Sequence, residues 1–487
     1  MKSEKIKIIL VHLFVFLFLL VFFVNICHIV PYDKDDWIYL GRLRIPLPLW
    51  DEWNPSRILP EVVMPLCGYM AAYLLYPITG DYILSITIMA AVILTIFITG
   101  LCYCIMLFLI KRLNVSVDMA LVLEALFLIF TFLIFRNRGT SRYLFYAEDF
   151  CCIFYYILPG IINAISILIM MQYQDFQKAY DSFSTVKKGL FITLVYFAVY
   201  SHVFHSCAIL IYSGLICLSD FKNVIYNKKP YIKKYIQEHK IYLFIITMWL
   251  IGAILELNGE RASYMSSDVG ISFEVSLRQL VAITRAVATP YKLIIVATFG
   301  WLIYRIGKKK EYSDIYCFMF INLILVVVYL IILCAKVQYM SRMDASWCIW
   351  FYVILITIIG IADWFKVFYA VKPILVPLLL ILGITAFYPD GRFSISTIRN
   401  VDYVTCVQTG EYIINQIVSA EKAGCNSVMV HVPYVEDEAI KWTFADDFGT
   451  AITNTLYNHG IIQRKIEVET FHDPDFLSHI KVDIREY

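Results

Sequence analysis

The sequence predicts a polytopic all-α membrane protein of about eleven transmembrane helices, followed by a small α/β domain. Three observations carry that expectation. The 487 residues are 60% hydrophobic and only 16% charged, with a mean hydropathy of +0.70, whereas a soluble domain is about half apolar and a quarter charged. Apolar runs long enough to cross a bilayer recur through residues 1–390. After residue 390 the hydropathy collapses, and helix-like and strand-like stretches alternate. The net charge of +2 gives no reason to expect a nucleic-acid partner.

Taken in order, the first apolar stretch, 7–30, is longer than a signal-peptide core and has no small-residue cleavage site after it, so it reads as a retained first span. Further spans are expected at 82–110, 118–135, 150–171, 241–257, 291–306, 315–335, 347–365 and 373–389. Segment 190–219 is broken by "YSHVFHS" and reads as two short helices meeting on one side. Segment 61–78 is apolar but carries Pro65 and Pro77, and is expected to lie in the interface. Most of the 13 cysteines, such as Cys102, Cys104 and Cys334, lie in apolar runs, where a thiol is a small hydrophobe.

The positive-inside rule orients this chain with its N-terminus in the cytoplasm. The expected inner segments then hold eighteen Lys and two Arg, and the outer loops before residue 390 hold three Lys and ten Arg. Lysine is enough to orient a chain, whereas the planar fork of arginine suits bidentate contacts to phosphate and carboxylate. The multi-span part, 1–390, has a long first external loop at 31–81, and residues 391–487 form the extracytoplasmic α/β domain. Its strands are expected at "SVMVHVPY" and "RKIEVETF", and its helices at 411–424 and 448–460.

Four constellations bear on chemistry. The first loop packs Asp33, Asp35 and Asp36 beside Trp37 and Tyr39, with Arg57 further on. Crowded carboxylates either supply a poised base or bind a divalent cation such as Mg2+ or Mn2+. The aromatics suit a sugar ring. The loop "RNRGTSRYLFYAEDF" brings Arg138 and Arg142 together with Glu148 and Asp149, which also suit the start of the next helix. In "YSHVFHS", His202 and His205 are placed to hydrogen-bond a polar ligand, and no third metal ligand follows them. The loop "LNGERASYMSSDVG" offers Glu260 and Arg261 ahead of an amphipathic helix. Glu124 sits alone in an apolar span and is expected to face the bundle.

Nucleotide-binding, metalloprotease and serine-hydrolase motifs are absent from the sequence, and the expected inner loops are short. Substrate chemistry is then expected at the outer face, where sugar donors are typically carried on lipid phosphates.

The layout resembles the GT-C superfamily of membrane glycosyltransferases. The resemblance rests on "DDW" at 35–37, "NPSR" at 54–57 where a compact Asn-Gly-Arg is common in the family, and the acidic pair "ED" at 148–149. It implies a polyprenyl-phosphate-linked sugar donor, a surface-glycan acceptor, and transfer with inversion in a bacterial plasma membrane. It also implies that Asp35 or Asp36 is the catalytic carboxylate, as base or as ligand to a metal. Arg57, Arg138, Arg142 or Arg261 would stabilise the phosphate leaving group. A polysaccharide polymerase or ligase, or a lipid-linked sugar flippase, are the alternatives. A flippase would favour charged mid-membrane helices and inverted repeats.

Overall fold

Residues 2–25 carry a long apolar run without glycine or proline and form one helix, Lys2–Asn25. Its outer face leaves Ile9, Phe14 and Val21 exposed, as befits a surface solvated by lipid tails. The computed structural model describes residues 2–50, 52–136, 142–226, 230–263, 270–368, 375–385, 393–394, 401–434 and 447–480. The main helices that follow are Tyr82–Leu113, Val117–Leu133, Phe150–Met171, Thr185–Val199, Val203–Tyr226, Lys240–Asn258, Thr289–Gly307, Ser313–Val337 and Trp347–Val367.

These helices run back and forth, so their connections gather at two ends. At one end Lys111 donates to Gln172 (3.0 Å), Asn114 donates to Tyr312 (3.0 Å), Lys240 pairs with Asp181 (2.5 Å), and Lys7 pairs with Asp118. At the other end the Leu59 N–H donates to the Tyr200 carbonyl (3.0 Å), Ser56 Oγ to Glu256 (2.7 Å), and the Ala288 N–H to the Ile134 carbonyl (2.8 Å). The lysine-rich connections therefore share one end and the arginine-bearing loops the other, as the charge asymmetry implies.

Among the described residues, seven helices are long and apolar enough to cross a membrane, or eight if the pair Phe273–Ala286 and Thr289–Gly307, bent by 106°, counts as one span. This is fewer than the eleven that hydropathy suggests. The reason is length: a crossing needs about 20 helical residues. Val117–Leu133 has 17 residues and Thr185–Val199 has 15, and part of the span expected at 373–389 lies outside the described residues. The expected break inside 190–219 falls between Val199 and Val203.

Ile58–Thr79, which includes the segment expected to lie in the interface, is by length and composition one of the seven. Its contacts nevertheless hold both of its ends at the arginine-bearing end. Leu59 bonds Tyr200 there, and Tyr76 packs edge-on against Tyr82, the first residue of the next helix, at 5.9 Å. The helix therefore lies across the bundle end, with a π-helical turn at Ala71–Leu75.

The C-terminal part forms an α/β unit. Strands Ser427–Pro433 and Glu467–Asp473 pair in parallel, with Val430 opposite Thr470. Parallel pairing needs a crossover connection, and the helix Phe448–Asn458 lies within that connection. The same helix rests on the first-loop helix Lys34–Gly41. Thr455 bonds the Trp37 carbonyl, Asn458 donates to the Gly41 carbonyl (2.9 Å), and Lys34 pairs with Asp447 (2.6 Å). Cys406 is buried and Cys425 exposed, and neither is in a disulfide.

Candidate functional site

Asp33 caps the helix Lys34–Gly41, accepting the Asp35 N–H at 3.0 Å, and Asp36 closes a capping box on the Asp33 N–H at 2.8 Å. Asp36 is fully buried and also accepts the N–H of Tyr32 (2.7 Å) and of Cys151 (2.7 Å). Its two oxygens thus serve three backbone donors, two from the first loop and one from the start of Phe150–Met171. Asp35 differs: it is exposed, and its carboxylate makes no hydrogen bond or ion pair with the described residues. The surroundings of that carboxylate are still crowded with protein. This partial desolvation, with Asp33 and Asp149 nearby, raises its pKa against the opposing pull of Lys34 and Arg261. Burial, with Asp149 and Asp33 nearby, raises Asp36, and burial raises Asp149 against the hydrogen bonds from Cys152 and Cys151 and the pull of Arg342.

Behind this helix, the "NPSR" stretch is folded inward by a part-buried carboxylate. Glu61 accepts from Arg44 (2.5 Å), Asn54 (2.7 Å) and Tyr155 (3.1 Å). Asn54 Oδ1 in turn accepts from Arg261 at 3.4 Å. Glu256 takes both the N–H and the hydroxyl of Ser56, and lies 3.9 Å from the buried Arg57. That long ion pair is the only one found for Arg57 among the described residues, and its Nε has no hydrogen-bond acceptor.

Arg342 completes the arrangement. It forms two hydrogen bonds to Asp344 (3.1 and 2.7 Å), reaches Cys152 Sγ (3.0 Å) and Glu148 (3.4 Å), and lies over the Tyr156 ring at 4.8 Å. His202 is buried against the same ring, 4.5 Å between centroids. Its pKa falls well below the usual histidine value through burial and through the cations Arg57, Arg261 and Arg342. Nδ1 accepts the Phe204 N–H at 3.3 Å, so the neutral ring carries its proton on Nε2, which has no partner among the described residues. Three arginines thus surround one neutral histidine and one tyrosine.

No family model, no characterised protein and no solved structure matches this chain.

Of the residues singled out by sequence, Asp35, Asp36, Arg57, Glu148, Asp149, His202 and Arg261 come together at this bundle end. His205 turns away, with Nδ1 3.4 Å from Cys348 Sγ. Arg142 lies over the Tyr146 ring at 5.4 Å. Arg138 falls outside the described residues. A divalent ion on Asp35 and Asp36 fits poorly, because Asp36 is occupied by backbone donors and the pair has no third ligand close enough among the described residues. Glu256, Asp344, Tyr155 and Tyr156 were not legible as site residues. Tyr155 and Tyr156 read as ordinary apolar-span residues. Asp344 carried a faint signal in the spacing "RMD", two residues after Arg342.

Proposed function

We propose that this protein is a membrane glycosyltransferase, moving a sugar from a polyprenyl-phosphate-linked donor to a surface glycan or other acceptor. The observation that carries the reading is the pairing of an accessible, unpartnered Asp35 with the cluster of Arg57, Arg261 and Arg342 at one end of an apolar bundle. A lipid-borne phosphate donor needs both an apolar surround and cations at the headgroup.

In this reading Asp35 accepts the proton of an acceptor hydroxyl as its oxygen attacks the anomeric carbon. The bond from that carbon to the phosphate oxygen breaks, and the charge left on the phosphate is met by the arginines. Attack opposite the leaving group inverts the anomeric configuration. His202, held neutral, donates from Nε2 to a hydroxyl or phosphate oxygen without adding charge. The positive-inside rule puts the lysine-rich end in the cytoplasm and the site and α/β unit outside, and the resemblance to bacterial members of the GT-C superfamily points to a bacterial plasma membrane.

The test is Asp35→Asn in membranes carrying normal amounts of the protein. Loss of a sugar from surface glycans, with build-up of its lipid-linked donor, is expected. Full transfer by this variant would refute the assignment. Orientation is checked separately by a C-terminal alkaline phosphatase fusion, which should be active.

A further inference from the structure

We infer that Asp149, Cys151 and Cys152 form a binding site for a thiophilic divalent cation of the Zn2+ class. The inference does not depend on sugar transfer and concerns a different set of atoms from Asp35.

One carboxylate oxygen and two sulfurs from these residues lie within 4.8 Å of one another, and all three residues are buried. A tetrahedral ion with metal–sulfur bonds of about 2.3 Å needs its two sulfurs roughly 3.8 Å apart, which the cluster accommodates with small side-chain rotations. Thiols buried among aliphatic side chains are inert fillers, but here each sulfur meets a charged group. Cys151 Sγ donates to Asp149 Oδ1 at 3.2 Å, and Cys152 Sγ accepts from Arg342 Nη2 at 3.0 Å. An arginine N–H aimed at sulfur is the kind of outer contact that steadies a metal-bound thiolate.

Local construction points the same way. Cys151 and Cys152 open the helix Phe150–Met171, where the positive end of the backbone dipole favours thiolates. Asp36 holds the Cys151 N–H at 2.7 Å, and Asp149 Oδ1 holds the Cys152 N–H at 2.7 Å, so the backbone carrying both sulfurs is pinned. Around the cluster lie Asp36, Glu148 and Asp344, the last two paired with Arg342. Binding would release the two thiol protons to solvent and leave two thiolates and a carboxylate on the ion, with a fourth position open to water or another oxygen ligand. Two sulfurs among three ligands select Zn2+ over Mg2+.

The experiment is a Co2+ titration of the full-length protein, purified in detergent and reduced. We expect one Co2+ per chain, tetrahedral visible bands and a sulfur-to-cobalt charge-transfer band. Zn2+ should displace it and Mg2+ should not. Cys151→Ser and Cys152→Ser should each remove the charge-transfer band, and Cys425→Ser should keep it. Should the serine variants fail to fold, alkylation of the intact protein replaces them. Zn2+ should slow labelling of Cys151 and Cys152, read by mass spectrometry, and leave Cys425 unchanged. A charge-transfer band that persists in either serine variant, displacement by Mg2+, or labelling indifferent to Zn2+ would overturn the inference.

Discussion

Asp36 accepts the backbone N–H of Cys151 at 2.7 Å, joining two stretches of chain that are 115 residues apart. Two further backbone donors, Tyr32 and Asp33, occupy its other oxygen. The adjacent Asp35 has no such partner. Two neighbouring aspartates thus take different work: one holds the first loop to the helix at Phe150, and the other is left available to a ligand.

Asp36→Ala is accordingly expected to be a folding defect. Each buried donor left without an acceptor costs about 1–3 kcal/mol, and three are affected. Membrane abundance and thermal stability in detergent should both fall, whereas Asp35→Asn should leave them near wild type. An Asp36→Ala protein that melts like wild type would remove the structural role.

Asp35 also sets a pH dependence. A base must be ionised to accept a proton, so activity should fall as pH drops through its pKa, which partial burial, Asp33 and Asp149 raise from its ordinary value. Lys34 and Arg261 pull the other way. Removing Arg261 therefore raises Asp35 further, and Arg261→Gln should move the acid limb of the rate profile to higher pH. A limb that stays in place or moves to lower pH would separate Asp35 from the transfer step.

Arg57→Lys keeps a positive charge but loses the planar fork. Donor binding, measured as KM for the lipid-linked sugar, is expected to weaken roughly tenfold, about 1.4 kcal/mol. An unchanged KM would place Arg57 in the fold alone, as the partner of Glu256.

His459 clamps the α/β unit to the first loop. Its Nε2–H donates to the Leu40 carbonyl (3.1 Å), and its Nδ1 accepts from the Tyr82 hydroxyl (2.5 Å). Accepting from Tyr82 needs the neutral ring, whereas the bond to Leu40 survives protonation, and burial lowers the pKa from 6.5 to about 4. The folded form binds this proton more weakly than the unfolded form. The contribution is therefore complete above pH 6.5 and is lost progressively as pH falls towards 4, by at most about 3 kcal/mol. Thermal stability should drop over that window, and less steeply in His459→Gln. Equal slopes for the two proteins would refute the clamp.

The same contact requires glycine. A Cβ on Gly41 would come within 2.8 Å of the Thr455 Cα, and one on Gly68 within 2.5 Å of His459 Cε1. Gly41→Ala should loosen the α/β unit and raise its susceptibility to limited proteolysis. Gly189→Ala, with open space around it, serves as the control and should not. Matching digestion patterns for the two variants would show that the close approach is dispensable.

The sequence by itself determined a polytopic helical protein. Burying or lipid-solvating apolar runs of about 20 residues leaves few alternatives to helices. It also separated the lysine-rich connections from the arginine-bearing ones, because charge is a composition property readable without coordinates. The α/β nature of the C-terminal part followed from the alternating pattern of "SVMVHVPY" and the helical spacing after it.

Only the tertiary structure decided how those pieces act. Asp35 and Asp36 are chemically identical neighbours, and what separates them is which backbone N–H groups arrive from Tyr32 and from distant Cys151. Glu256 and Asp344 gained meaning only when they met Arg57 and Arg342. Ile58–Thr79 has the composition of a span, yet its contacts with Tyr200 and Tyr82 lay it across the bundle end. In each case hydropathy and spacing report what a segment prefers as a solvent. Its partners are set by contacts between residues far apart in the chain, which no local pattern encodes.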